Sequence, residues 1–353
     1  MLTRSSQADI VESGYEALGL PPFEPHPWLR SAHVQTIIGR YWPSPGAKLE
    51  ATAHEVGLAD GDRLVVLESV PLGWQSPRPT AVLVHGLAGC AEAPYLVRLG
   101  VRLIHLGIRV VRVNLRNAGM GFGLARGVYH AGRSDDLRQV LAWLKGRDGM
   151  SPIALVGFSL GGNLVLKLAA EAADDPAGVE ALDCVLAANP PIDLTACSRQ
   201  MRLPENRLYD RNFVKWLRRT VRRLHRRFPE LGPTQIDRVK TVYEFDDRYT
   251  ARRNGFASAD EYYARCSLVT MLGRIAVPGL IVHAMDDPFI PHEPFEHVVW
   301  PPNLVLDLVR HGGHLGYLSH QPWQGGRRWL DARLDGWLDR HWGISGCRDG
   351  RLP

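Results

Sequence analysis

The sequence predicts an α/β fold, a mostly parallel sheet flanked by helices with an inserted helical cap. Three observations carry this. Short uncharged aliphatic runs alternate with amphipathic helical stretches along most of the chain. One alternation holds Gly157-Phe158-Ser159-Leu160-Gly161, which joins an apolar run directly to a helical stripe. Residues 194–275 break the alternation: they are helical, charged and poor in strand signals.

Residues 1–20 read as a polar helical lead-in, and 21–45, rich in proline and aromatics, as an irregular surface segment with a short helical turn at His33–Ile38. His33 is read there as a structural or solvated histidine. Residues 50–57 and 62–70 read as two strands of a hairpin around Asp60-Gly61. Thr80–Val84 reads as a strand buried on both faces, Leu96–Leu106 as a helix closed by Gly107, Arg109–Leu115 as a strand, and Arg116–Gly123 as a glycine-punctuated loop. Asp135–Lys145 is amphipathic, with Leu137, Val140, Leu141 and Leu144 on one face. Strands follow at Ile153–Val156 and Cys184–Ala188. After the break come Gly279–Ala284, a helix near Pro294–Val299, Leu304–Val309 and a last helix near Arg327–His341. Strand–helix alternation demands parallel strands with right-handed crossovers. The expected organisation is an extension at 1–49 packed on the core, a core at 50–193 and 276–353, and a cap at 194–275 over the C-terminal edge of the sheet, where open α/β sheets bind ligands.

Composition sets outer bounds. The 353 residues, 45% hydrophobic and 22% charged, suit a large globular domain. No run of roughly twenty apolar residues marks a membrane span, and acidic Asp9, Glu12 and Glu16 stand where a signal peptide would be apolar. Five scattered cysteines without a CxxC or metal spacing point to free thiols in a reducing cytoplasm. Neither a metal nor a cofactor is expected. The net charge of +5 is local: residues 202–228 hold ten Lys/Arg against Glu205 and Asp210, so the rest of the chain is net acidic. The helix over Asn212–Phe228 sets Phe213, Trp216, Leu217, Val221, Leu224 and Phe228 on one face and arginines on the other. A solvated basic face is the plain reading; peripheral contact with an anionic membrane is the sharper one. No aromatic-interleaved motif supports nucleic acid.

The glycine–serine motif has a mechanical reason. A strand that turns at once into a helix holds one residue at positive φ, pushes its side chain clear of the sheet, and leaves no room for a Cβ two positions either side. Ser159 would stand at a helix N-terminus, where free N–H groups favour developing negative charge. The Leu160 N–H would be one oxyanion donor. A serine hydroxyl needs a base, and the base needs an acid to hold its tautomer. Past the strand Gly279–Ala284 stand Asp286 and Asp287; past Leu304–Val309 stand His311 and His314. Both sets lie on the same sheet edge as Ser159, in the order serine, acid, histidine. Asp287 is favoured over Asp286 because Pro288-Phe289-Ile290-Pro291 suits a turn holding its carboxylate inward. His314, after two glycines, is favoured over His311. Asp193 is a minor rival for the acid.

These residues resemble the α/β-hydrolase pattern over roughly 50–193 and 276–342. More narrowly, the chain resembles the YheT-like branch, α/β-hydrolase family 4. The signs are HVQTI (33–37), LVHGLAG (83–89), VNLR (113–116), GFSLGGN (157–163), FDDRYTARRNGFASADEYYARCS (245–267), DDPFIP (286–291) and HGGHLGY (311–317). The resemblance implies an α/β-hydrolase fold and a serine hydrolase acting on carboxylic esters, with some eukaryotic relatives acting on glycerolipids. It implies a triad of Ser159, Asp287 and His314, and a second oxyanion donor at the Leu87 N–H. Asn117-Ala118 departs from the small pair expected after VNLR, a difference bearing on substrate shape. The expected function is hydrolysis of a short- to medium-chain acyl ester or a glycerolipid-like ester through an acyl-enzyme. Acyl transfer with the same residues, and a non-catalytic ligand-binding protein of this fold, are the alternatives.

Overall fold

The computed structural model describes residues 22–43, 48–323 and 326–345. The lead-in expected at 1–20 lies outside them. An eight-stranded sheet runs in the order β1-β2-β4-β3-β5-β6-β7-β8. Its strands are β1 (Thr52–Gly57), β2 (Arg63–Ser69), β3 (Thr80–Val84), β4 (Arg109–Asn114), β5 (Ile153–Phe158), β6 (Leu182–Ala188), β7 (Gly279–Ala284) and β8 (Leu304–Val309). β1–β2 and β2–β4 pair antiparallel; every other neighbouring pair is parallel.

The main helices are α1 (Ala32–Tyr41), α2 (Pro94–His105), α3 (Asp135–Asp148), α4 (Leu160–Glu171), α5 (Leu194–Met201), α6 (Arg207–Arg227), α7 (Ala259–Cys266) and α8 (Trp329–His341). Alternate side chains of each strand feed two cores. Val82, Val84 and Leu155 pack on one side with Leu137, Val140 and Leu144 of α3 and Leu164, Val165 and Leu168 of α4. Ala81, Leu83, Ala154 and Val156 pack on the other with Leu96, Leu99 and Leu103 of α2 and Trp329, Leu330 and Leu334 of α8. Burial on both faces explains why these strands carry no charge-alternating pattern.

Strand order reverses between β3 and β5, which pair side by side although α2, β4 and α3 separate them in the chain. That switch point opens a crevice at the C-terminal ends of the strands. Residues 194–275 contain no strand among the described residues and lie over this crevice. In this region Val214, Leu217 and Val221 of α6 pack on Ile236, Val239, Phe245 and Tyr249. The helix begins at Arg207, not Asn212, and Phe213 and Trp216 are only half-buried. A turn of α-helix at Val242–Phe245 runs into a π-helix at Asp246–Ala251.

Three elements differ from expectation. α1 is a full helix rather than a short turn. β9 (Leu318–Trp323) and β10 (Gly326–Arg328) form a small antiparallel hairpin ahead of α8. Pro25 bridges to Ser319, and His26 and Glu24 bond the backbone of Leu318 and His320, so the N-terminal segment adds an edge to that hairpin. Pro322, His320 and Gln321 break any apolar alternation there, which hides the strand in the sequence.

Candidate active site

β5 ends at Phe158 and α4 starts at Leu160, leaving Ser159 alone in the turn at φ +53°, ψ −124°. A Cβ at Gly157 would collide with the Gly161 carbonyl, and one at Gly161 with the Val84 carbonyl. Glycine is thus required two positions either side of the serine. The Ser159 N–H donates to the Ala188 carbonyl at 2.8 Å, tying the turn to the end of β6.

The structure brings Ser159, His314 and Asp287 together. Ser159 Oγ lies 3.0 Å from His314 Nε2. His314 Nδ1 lies 2.7 Å from Asp287 Oδ2. A carboxylate facing Nδ1 fixes the proton there and leaves Nε2 as the acceptor for the serine hydroxyl. Asp287 is buried, and its Oδ1 accepts the N–H groups of Phe289 (2.8 Å) and Ile290 (3.2 Å). Burial pushes its pKa up, but the His314 imidazole, His283 and the Phe289 N–H outweigh it and hold the carboxyl below its ordinary value.

The rival residues have other partners. Asp286 accepts the Gly313 N–H at 2.9 Å and faces the exposed His311 at 3.3 Å, so that pair braces the loop carrying His314. Asp193 caps α5 through the Ala196 N–H.

The residues of both candidate oxyanion donors, Leu87 and Leu160, line the same cavity as Ser159. Leu160 is the first residue of α4, so its N–H has no carbonyl within the helix. In the loop after β3, the Gly86 N–H donates to Tyr95 Oη at 3.1 Å and the Ala88 N–H to Tyr129 Oη at 2.8 Å. The Leu87 N–H between them takes no bond among the described residues. Ala88 itself sits at φ +61°. His85 braces the loop from beneath: Nδ1 donates to the Gly86 carbonyl, and Nε2 accepts the Leu115 N–H. Burial lowers its pKa to about 4, consistent with this neutral tautomer.

Several contacts escaped the sequence reading. Asn189, at φ +46°, donates from Nδ2 to Asp287 Oδ2 (2.7 Å) and the Gly313 carbonyl (3.2 Å), and accepts the Tyr317 hydroxyl (2.8 Å). Thr36 and Gln35 of α1 hold the histidine loop: the His314 N–H donates to Thr36 Oγ1, and Gln35 bonds both the N–H and C=O of Leu318. Only the HVQTI stretch signalled this, and a motif does not reveal which side chain reaches across the chain. His33 stacks on Tyr209 of α6 and shares a 3.2 Å hydrogen bond with its hydroxyl. Asn117 pins the loop at 117–127 through the Ala125 and Gly127 carbonyls and the Gly123 N–H. Neither it nor Ala118 is on the cavity wall.

Ser159 and His314 open on a cavity of about 150 Å³ between sheet and cap. Its wall is mainly apolar, including Leu87, Met201, Phe213, Leu217, Phe245 and Phe289. No helix among the described residues is long and apolar enough to cross a membrane.

Comparison with known proteins fixes the family. Residues 79–321 match the family model described as the alpha/beta hydrolase fold. An Escherichia coli (strain K12) protein, "Putative esterase YheT", is 31% identical over 92% of this chain and 95% of its own length. The chain belongs to the YheT-like α/β-hydrolases. This YheT-like hydrolase is also 29% identical to "Phospholipase ABHD3" of Mus musculus, over 69% of this chain and 59% of that protein. The solved Pyrococcus furiosus esterase Pf2001 shares the fold, with a TM-score of 0.54 at 15% identity, covering 88% of this chain and 94% of that one.

Proposed function

We propose that this YheT-like protein is a serine hydrolase that cleaves a carboxylic ester through an acyl-enzyme. The hydrogen-bonded chain Ser159–His314–Asp287 carries the reading. Ser159 Oγ attacks the ester carbonyl carbon as His314 Nε2 takes its proton. The carbonyl oxygen, now negative, receives the Leu87 and Leu160 N–H groups. The tetrahedral adduct collapses, and His314 returns the proton to the departing alkoxide. Water, deprotonated by His314, then attacks the acyl-enzyme; the acid leaves and the serine regains its proton. Asp287 holds the imidazole tautomer and stabilises the imidazolium formed in both halves.

The cavity supports a short acyl group, since about 150 Å³ of apolar space accommodates something the size of benzene. The esterase and phospholipase named above support an ester substrate, up to a small glycerolipid. The test is fluorophosphonate labelling of wild type beside Ser159→Ala, followed by a p-nitrophenyl ester series from acetate to palmitate. Labelling lost in the variant, with an optimum among the short esters, is expected. A wild type that neither labels nor hydrolyses overturns the reading in favour of a ligand-binding protein.

The enzyme is read as cytoplasmic, with peripheral contact to anionic membranes through α6. A cleft of about 590 Å³ along that helix is lined by Arg207, Arg211, Lys215, Arg218, Arg222 and Lys240. Such a density of cations against Asp210 and Glu244 favours a surface of phosphate headgroups.

A further inference from the structure

The cap side of the cavity carries an acid that the proposed chemistry does not use. Asp246 opens the π-helix at Asp246–Ala251, and it lines the same cavity as Ser159 and His314. Single π-turns are rare and recur at functional sites. Its carboxyl is held by two hydroxyls: Thr250 Oγ1 donates to Oδ1 at 2.7 Å and Tyr263 Oη to Oδ2 at 2.8 Å. Among the described residues no cation pairs with it. Arg202, the one arginine on the cavity wall, lies over the Tyr243 ring, 4.8 Å from its centroid. Asp210, the other acid on the wall, has one oxygen occupied by the Val242 N–H.

An ionised carboxylate facing apolar space without a counter-charge is costly. Burial accordingly pushes the Asp246 carboxyl up to about 6. The two hydroxyls fix its orientation and use only two of its roughly four acceptor positions. A ligand donor would satisfy the others. The acyl chain of an ordinary ester is hydrocarbon and brings no such donor, so the group that meets Asp246 belongs to the alcohol portion.

We propose that Asp246, oriented by Tyr263 and Thr250, is a specificity-determining residue that selects esters whose alcohol portion carries a hydrogen-bond donor, a hydroxyl or a protonated amine. This rests on the ester-hydrolase reading and adds to it the class of leaving alcohol.

The test compares kcat/KM for three butyrate esters: propyl, glycerol and 2-(dimethylamino)ethyl. Wild type is expected to favour the donor-bearing esters over propyl on the order of tenfold, the size of one charge-assisted hydrogen bond. Preference for glycerol alone assigns a polyol, and for the amine alone a cationic headgroup. Asp246→Asn is expected to bring the ratio close to one, mainly through KM. A purely structural Asp246 would lower stability and leave the ratio unmoved. Equal rates for all three esters in wild type overturn the proposal without any variant, as does an unchanged ratio in a folded Asp246→Asn. Failure of the hydrolase reading shows separately, as absent fluorophosphonate labelling. In that event calorimetric titration of wild type and Asp246→Asn with glycerol monobutyl ether still reads the donor preference: weaker binding by the variant supports it, and equal binding overturns it.

Discussion

The backbone N–H of His314 donates to Thr36 Oγ1 at 2.9 Å, across 278 residues of chain. Thr36 passes the bond on, its hydroxyl donating to the Ala32 carbonyl one helical turn earlier. On this geometry α1 is part of the support for the histidine loop, and the close approach of Gly39 to Gly316 locks the two together. Thr36→Val keeps the volume and removes the acceptor. One net hydrogen bond of about 1 kcal/mol corresponds to a loss of about fivefold. The expected result is a fall of that size in kcat for a short p-nitrophenyl ester, with KM held and Thr36→Ser restoring the rate. A kcat equal to wild type would remove α1 from the support of His314.

Tyr129 acts on the other wall. Its hydroxyl accepts the Ala88 N–H at 2.8 Å while Ala88 sits at φ +61°. With the N–H groups on either side tied, that of Leu87 is the one in the loop left without a partner among the described residues. Tyr129→Phe removes the acceptor and lets the loop relax from its strained conformation. Removing one oxyanion donor outright costs about a hundredfold or more in kcat. Loosening it is expected to cost less, about tenfold, and to fall on kcat rather than KM. Steady-state kinetics on two esters differing only in acyl length should give the same factor for both. A loss confined to KM would make Tyr129 a wall of the cavity only.

Three buried histidines set the acid limb of stability. Burial lowers the pKa of His85 and His283 to about 4, and that of His130 to about 3. Each is neutral when folded and takes up a proton on unfolding below its ordinary value of 6.5. The unfolded chain therefore binds more protons, and stability falls as pH drops from 6.5 towards 4. Asp246 and Asp335, both raised to about 6, work the other way over the same range and shallow the slope. His283 stacks on Phe295 with ring centroids 4.4 Å apart, so an apolar replacement fits its seat. His283→Leu is expected to remove about 3 kcal/mol of the acid-induced loss over the whole range from pH 6.5 to 4, and part of it in mildly acid buffer. In thermal melts the Tm difference between neutral and mildly acid buffer should shrink in the variant. An unchanged difference would place the acid sensitivity elsewhere.

The parts legible in the sequence share a cause. β3, β5 and β7 are buried throughout, as is β6 from Cys184 onward, so each reads as an uncharged aliphatic run. The β5–Ser159–α4 turn is sterically demanding enough to write glycine at 157 and 161. Asp287 and His314 follow strand ends, a position that a run of strands locates. What stayed hidden depends on long-range contact. Asn189 looks like a turn residue before two prolines, yet it joins Asp287, Gly313 and Tyr317. The π-helix at Asp246 is six residues long and follows a single α-turn, too short a stretch to carry a periodic signature of its own. β9 is set by its pairing with Pro25 and β10, not by composition.

The last prediction concerns the cations of α6, which are not equivalent. Arg218 and Arg222 are engaged by Asp237, and Arg223 lies over the Phe122 ring at 4.0 Å. Arg207, Arg211 and Lys215 line the open cleft and are exposed, as is Arg219. Leu208, 75% exposed beside them, offers an apolar contact of the kind that inserts at a headgroup boundary. Attraction of this sort is worth about 1 kcal/mol per basic residue near an anionic surface and is screened by salt. Vesicle co-sedimentation should therefore show binding to phosphatidylserine-containing liposomes, weaker at high salt and absent with phosphatidylcholine alone. Replacing Arg207, Arg211, Lys215 and Arg219 with glutamine should lower the partition coefficient by two to three orders of magnitude, roughly. Hydrolysis of a soluble ester should stay within twofold, roughly, because none of these four lines the cavity beside Ser159. Binding indifferent to salt, or retained in the fourfold variant, would leave the basic face of α6 as solvated surface.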